Sequence, residues 1–260
     1  MSAAFLGLYA LGTVQAFQEL DDFTADDLTP AVDERTVAGA TLFGLAMFGT
    51  LFLGAVLAVF LTLGVVRGDA ERGLLQPLVV RPVGRSVLLL ARFLTAAAVC
   101  ALYVVAMYAV ALVITRAAGG WTPDRIVSPA LELAGAVVVV AALSVLGSVF
   151  LTATANGIAV FMLFGAGLVA GLLGQIGEAL DSDTLRSSAE IASWILPFEA
   201  LYQDALNEIT ADASGLEGFV LQLGPFGGAQ AGGRLLIPWA LAYLGLVGGA
   251  ALLAFARRDL

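Results

Sequence analysis

From residue 39 to residue 66 the chain is apolar all round and carries no charged side chain. A run longer than about 18 apolar residues is the mark of a helix that crosses a bilayer. Further runs of the same kind cover residues 93–114, 131–151, 157–175 and 235–256. A soluble helical core would need polar faces at helical spacing, and these runs have none. Charged residues make up only 13% of the chain and hydrophobic residues 60%, against roughly 25% charged in an ordinary soluble domain. The fold class that follows is an all-α polytopic membrane protein, with residues 1–260 forming a single transmembrane domain.

Six spans are expected: 3–17, 39–66, 93–114, 131–151, 157–175 and 235–256. The first has only 15 residues, about 22 Å of helix against a hydrocarbon core of about 30 Å. No basic residue precedes it, as a signal peptide would require. The true start is therefore expected upstream, or this end to be partial. Residues 18–38 follow as an acidic segment, with Glu19, Asp21, Asp22, Asp26, Asp27, Asp33 and Glu34 against Arg35. It reads as a solvated loop, because the Asp/Gly turn of a cation-binding loop is missing. Residues 115–129 read as a turn-rich connection and residues 152–156 as a very short link. Residues 176–234 form a long polar-to-amphipathic region. Within it, 187–209 is expected to fold as an amphipathic helical hairpin around Pro197.

An even number of spans puts both termini on one side, together with the polar segment 67–92. That side holds seven arginines, Arg67, Arg72, Arg81, Arg85, Arg92, Arg257 and Arg258, and the other side five. The first set is concentrated at span ends, so both termini and residues 67–92 are expected in the cytoplasm, in a multi-pass plasma-membrane protein. Three acids fall inside and eighteen outside. Within the apolar runs ionisable groups are nearly absent: Arg92 and Glu132 lie near span ends, where they are expected to snorkel. Ion-coupled carriers place such groups at mid-membrane, so their scarcity argues against a secondary transporter or proton pump.

The absences exclude chemistry as well. All twelve basic residues are arginine, there is no histidine, and Cys100 is the one cysteine. A Walker A loop needs its lysine on the phosphates, so the chain cannot be a standard P-loop ATPase. Ser-His hydrolysis and His/Cys metal binding go with the missing histidine. No catalytic residue and no metal ligand is assigned, and nothing points to nucleic acid. The net charge of −9 without lysine is a haloarchaeal-like composition, that of a high-salt or high-GC host. Gly167 with Gly171, and Gly245 with Gly249, stand at helix-packing spacing. They suggest close helix contacts or a dimer seam, although a chain with thirty glycines produces such pairs by composition.

Residues 67–92, RGDAERGLLQPLVVRPVGRSVLLLAR, are more elaborate than a turn needs. Asp69 and Glu71 open a short helix that Gly73 stops. Leu74, Leu75 and Leu78 supply an apolar face, and Pro77 and Pro82 limit its length. The product is a short interfacial helix stiffly joined to two spans, suited to receiving a partner or to lying against lipid headgroups.

This segment resembles the ABC type 2 permeases, the membrane subunits of many ATP-binding-cassette exporters. Their pattern of an acidic pair, Gly, a Leu pair and Pro-Val-Ser-Arg falls here on Glu71, Gly73, Leu74, Leu75, Pro82, Val83 and Arg85, with Gly84 in place of the small polar residue. Residues 143–155 look like the family's fourth span and its tight cytoplasmic link. Leu196-Pro197-Phe198-Glu199-Ala200 and the ending Phe255-Ala256-Arg257-Arg258-Asp259 resemble the subfamily that includes the permease of nitrous-oxide-reductase maturation systems. The resemblance implies that the segment holds a cytoplasmic coupling helix. Asp69, Glu71, Arg72 and Arg85 would then meet an ATP-binding-cassette ATPase, with Gly73, Pro77 and Pro82 shaping the element. It implies a complex of two permease copies, identical or different, with two ATPases in the lipid bilayer. ATP and Mg²⁺ would sit on the partner subunit and no cofactor on this chain. It also implies an N-terminal elbow helix, which this sequence is expected to be missing. The alternative function is a non-transporting membrane scaffold or assembly factor.

Overall fold

The computed structural model describes residues 1–23, 34–63, 85–209 and 231–257. Among them there are eight helices and no strand. They are α1 Ser2–Phe23, α2 Glu34–Thr62, α3 Arg85–Gly119, α4 Val127–Phe150, α5 Ala153–Ala179, α6 Asp183–Ile195, α7 Pro197–Ile209 and α8 Leu236–Ala256. Five of these, α2, α3, α4, α5 and α8, are long and apolar enough to cross a membrane. The chain is thus a polytopic helical membrane protein.

α4 stands at the centre. It packs against α2, α3, α5, α7 and α8. Two thirds of its most apolar stretch, 67%, is buried inside the protein, against 28% for α3 and α5 and 22% for α8. Its buried positions are mostly small or β-branched: Ala130, Ala134, Ala136, Val137, Val139, Val140, Ala141, Ala142, Ser144 and Val145. Short side chains on every face let five neighbours approach one axis, which apolar attraction alone does not favour in lipid. The peripheral helices keep large apolar side chains such as Leu102, Met162 and Leu241 exposed, as suits surfaces turned toward hydrocarbon.

Several boundaries differ from the sequence expectation. α1 continues through Glu19, Asp21 and Asp22 to Phe23, so the acidic segment begins within a helix and not in a loop. That polar second half keeps α1 outside the five long apolar helices, although it packs on α2 and α3. Ser2 Oγ lies 2.8 Å from Tyr103 Oη, and Tyr9 Oη 2.5 Å from Thr115 Oγ1. Both contacts advance in the same sense along the two helices, so α1 and α3 run parallel. A methyl group at Gly119 would overlap the Phe17 ring, so glycine is what lets α1 close on the end of α3.

α3 starts at Arg85, eight residues before the expected third span, and runs 35 residues to Gly119. At 1.5 Å per residue that is about 52 Å, well beyond a core of about 30 Å. The connection expected to begin at Thr115 is therefore helical for its first turn. Gly120, at φ +70°, then adopts the left-handed conformation that ends helices cheaply only for glycine. The expected link 152–156 shrinks to Leu151 and Thr152, and Asn156 lies fully buried within α5. Glu132, expected to snorkel from a span end, is instead buried at 6% exposure, because α7 packs along that part of the bundle.

The buried polar residues at the other end of α4 join three spans. Thr62 Oγ1 donates to Ser144 Oγ at 2.5 Å and lies within reach of the Ala58 carbonyl at 2.7 Å. Asn156 Nδ2 donates to the Ser144 carbonyl at 2.9 Å and to Ser144 Oγ at 3.3 Å. The Asn156 amide sits directly over Gly147, where any side chain would displace it. Replacing Asn156 by Ala is expected to cost about 1–2 kcal/mol, read as a lower unfolding temperature in mild detergent. Thr95→Ala, which removes only an exposed hydroxyl bonded to its own helix, should leave that temperature unchanged.

Candidate functional site

Two places in the bundle carry more chemistry than packing requires. The first is the base of the segment singled out in the sequence. Asp69, Glu71, Arg72, Gly73, Pro77 and Pro82 lie outside the described residues, and Arg85 opens α3. What is described is the pair of helices that flank the segment. α2 ends at Thr62 on one side of it and α3 begins at Arg85 on the other, and these two helices pack on each other and on α4. Thr62, the last residue of α2, is the one tied to Ser144 and through it to Asn156. The segment therefore joins two helices whose near ends are fixed to the central post.

The second place lies some fifteen residues further along α5, about 22 Å from Asn156. Here α5 presents glycines where α7 arrives. A methyl group at Gly167 would overlap the Phe198 ring, and one at Gly171 would overlap Glu199 Oε1 and Gln203 Nε2. Gly167 and Gly171 are thus the seat of a helix within the same chain. Gly245 and Gly249 have nothing among the described residues within 4 Å of a β-carbon. They line a shallow apolar groove with Leu89, Phe93 and Val145.

α6 and α7 meet at a one-residue corner, Leu196, with Pro197 as the first residue of α7. Proline is at home there because the first helical N–H has no intrahelical partner. The two helices then separate: α6 lies on α5 with no buried residue of its own, while α7 sinks against α4. Phe198 stacks on Phe164 at 5.4 Å and Tyr202 meets Phe48 at 6.3 Å. At 13 residues, about 20 Å, α7 is too short to span the membrane. Its last turns are tied to their surroundings: Arg125 Nη1 donates to Glu208 Oε1 at 2.8 Å and Gly232 N to Asp204 Oδ1 at 2.9 Å.

Between α5, α6, α7 and the start of α8 lies a cavity of about 380 Å³. Glu199 and Gln203 from α7, Trp194 from α6 and Trp239 from α8 line it with the α5 glycines. Glu199 is 4% exposed. Gln203 Nε2 donates to Glu199 Oε1 at 3.0 Å, and Oε2 is buried with no hydrogen-bond partner among the described residues. Burial pushes the Glu199 carboxyl up to about 7, against the opposing pull of the Gln203 hydrogen bond. Burial and the neighbouring Glu199 hold the Tyr202 phenol above its usual range. Burial also raises Asp204, opposed by the Gly232 N–H. Trp194 and Trp239 meet edge to face at 5.4 Å, and Trp239 Nε1 donates to the Trp194 carbonyl at 3.0 Å.

In the sequence Glu199 stands out only as part of its Pro-containing segment, and Gln203, Trp194 and Trp239 are not singled out. The available signal was an acid and an amide four residues apart on a short amphipathic helix, which puts both on one face. That this face meets the α5 glycines is a matter of tertiary placement.

The raised Glu199 carboxyl has a consequence for stability. The folded chain holds a proton there that the unfolded chain releases from about pH 4.5, so stability falls as pH rises through the interval up to about 7. Glu199→Gln is expected to remove this part of the slope. It should make the protein more stable at pH 8 by up to about 3 kcal/mol and change little at pH 4. Thermal unfolding in detergent at the two pH values checks it.

The family model described as ABC-2 family transporter protein matches the chain over residues 1–260. No curated protein gives a match.

Proposed function

The chain belongs to the ABC-2 transporter family, which makes it a permease subunit of an ABC transporter, and from that premise we propose that it works in an exporter-type complex at the plasma membrane. A second permease copy and two ATP-binding-cassette ATPases complete the complex. ATP and Mg²⁺ are held by the ATPases, and residues 67–92 receive their motion on the cytoplasmic side. The family match over the whole chain is the observation that carries this reading.

The helices on either side of residues 64–84 support the coupling role. On one side α3, a helix of 35 residues, starts at Arg85 and reaches the far end of the bundle. On the other side stands α2, whose last residue is hydrogen-bonded to α4. Displacement of the segment is thereby passed to α2, α3 and α4 together, as lever arms about a polar junction. Asp69, Glu71, Arg72 and Arg85 are the residues proposed to contact the ATPase, with Gly73, Pro77 and Pro82 setting its shape.

A finer placement, beside the permease of nitrous-oxide-reductase maturation systems, rests on Leu196–Ala200 and on the Phe255–Asp259 ending. The first of these is the corner from which α7 enters the bundle.

Charge reversal at Glu71 and Arg85 in the full-length permease, co-expressed with its ATPase, tests the coupling assignment. About tenfold less ATPase should be recovered with the affinity-purified permease, while membrane insertion stays at the unaltered level. Full recovery of the ATPase with both charges reversed removes those residues from the contact. Stable co-assembly without ATP-dependent substrate movement would return the non-transporting scaffold.

A further inference from the structure

We propose that the cavity between α5, α6, α7 and α8 is a binding site for an organic cation: an ammonium head group with an apolar body, paired to Glu199 and packed on Trp194 and Trp239. The inference deepens the permease reading by giving it a substrate class, and it rests on that reading only for the step from ligand to substrate.

Glu199 is a buried carboxyl that the described residues leave half satisfied. Glu199 is 4% exposed, and of its two oxygens only Oε1 receives a hydrogen bond, from Gln203 at 3.0 Å. Oε2 is buried without a partner among the described residues. An acid in that position is costly unless a proton or a positive group completes it. The cationic side chain lining the cavity, Arg186, is directed to Asp181 at 2.8 Å and Asp183 at 3.9 Å. The remaining charged lining residue, Glu190, is a second acid. With Glu199 ionised the lining sets two acids against one arginine, a net negative charge that would repel an anion.

Its walls narrow the ligand further. Two indoles stand at one side, and aromatic faces attract quaternary and substituted ammonium groups. On the α5 side Gly167 and Gly171 let Phe198, Glu199 and Gln203 close against the helix, and Ala170 and Gly174 add little bulk to that wall. A volume of about 380 Å³ is of the size that holds a small organic molecule and far exceeds a bare metal ion. No group of three or more metal-binding side chains occurs among the described residues. The site lies outside the segment proposed to meet the ATPase and far along α5 from Asn156.

The test is calorimetric titration of the purified full-length chain, in detergent and without any ATPase, with benzyltrimethylammonium. The neutral isostere neopentylbenzene is titrated in parallel. Saturable binding of the cation is expected, at least tenfold tighter than that of the isostere. Glu199→Gln should weaken the cation at least tenfold and leave the isostere unchanged. Trp239→Leu, at a half-buried position that a leucine can occupy, should weaken the cation about fivefold and provides the reading if the Glu199 variant does not fold. Equal affinities for cation and isostere, unchanged cation affinity in the variants, or no saturable binding to the folded chain would each overturn the proposal. Because no ATPase is present, such a failure leaves the permease assignment standing. Conversely, loss of ATPase co-purification does not alter this binding.

Discussion

The architecture depends on one helix being small on every side. α4 is the element that α2, α3, α5, α7 and α8 all touch, and its alanines, valines and serines are what allow them to do so. In water such a helix would be drawn inward by its apolar surface. In hydrocarbon that force is absent, and close packing together with a few buried hydrogen bonds must hold the helices. Ser144 serves both needs. It is small enough to bring α2 and α5 close, and it carries the hydroxyl and carbonyl that Thr62 and Asn156 use.

The two ends of this post are built differently. At one end, polar contacts connect three spans beside the residues that link α2 to α3. At the other, α7 is inserted between α4 and the α5 glycines, and its Glu199–Gln203 pair borders the cavity. The first end suits the transmission of force because its donors and acceptors join separate helices. The second suits recognition because a buried oxygen is left unbonded among the described residues and two indoles line the same cavity. Coupling and recognition would then act on the same helices from opposite ends, with α4 and α5 common to both.

Much of the helical plan could be read from the chain. The apolar runs marked the five long helices, and Pro197 marked the corner between α6 and α7. Errors gathered where helices outlast their apolar stretch. Hydropathy stops at the first charges, whereas backbone hydrogen bonding continues for as long as neighbours support the helix. α3 accordingly extends back to Arg85, and α1 carries on into Glu19, Asp21 and Asp22. Asn156 and Glu132 were misplaced for a related reason. Each is polar and close to an apparent span end, but burial is decided by what packs across from it, and that is α4 for the one and α7 for the other.

By itself the sequence determined the solvent and the class. Long uncharged runs permit only membrane-crossing helices here, and the absence of lysine and histidine removes P-loop hydrolysis and histidine chemistry. Local composition suffices for these conclusions because each follows from residues near one another or missing altogether. Only the tertiary structure decided which small residues form contacts. Gly167 and Gly171 receive α7, while Gly245 and Gly249, at the same spacing, face an open groove. It alone placed Glu199, Gln203, Trp194 and Trp239 around one cavity, since they come from three different helices. Spacing along a chain records which face of a helix a residue occupies, and only the packed bundle determines what that face meets.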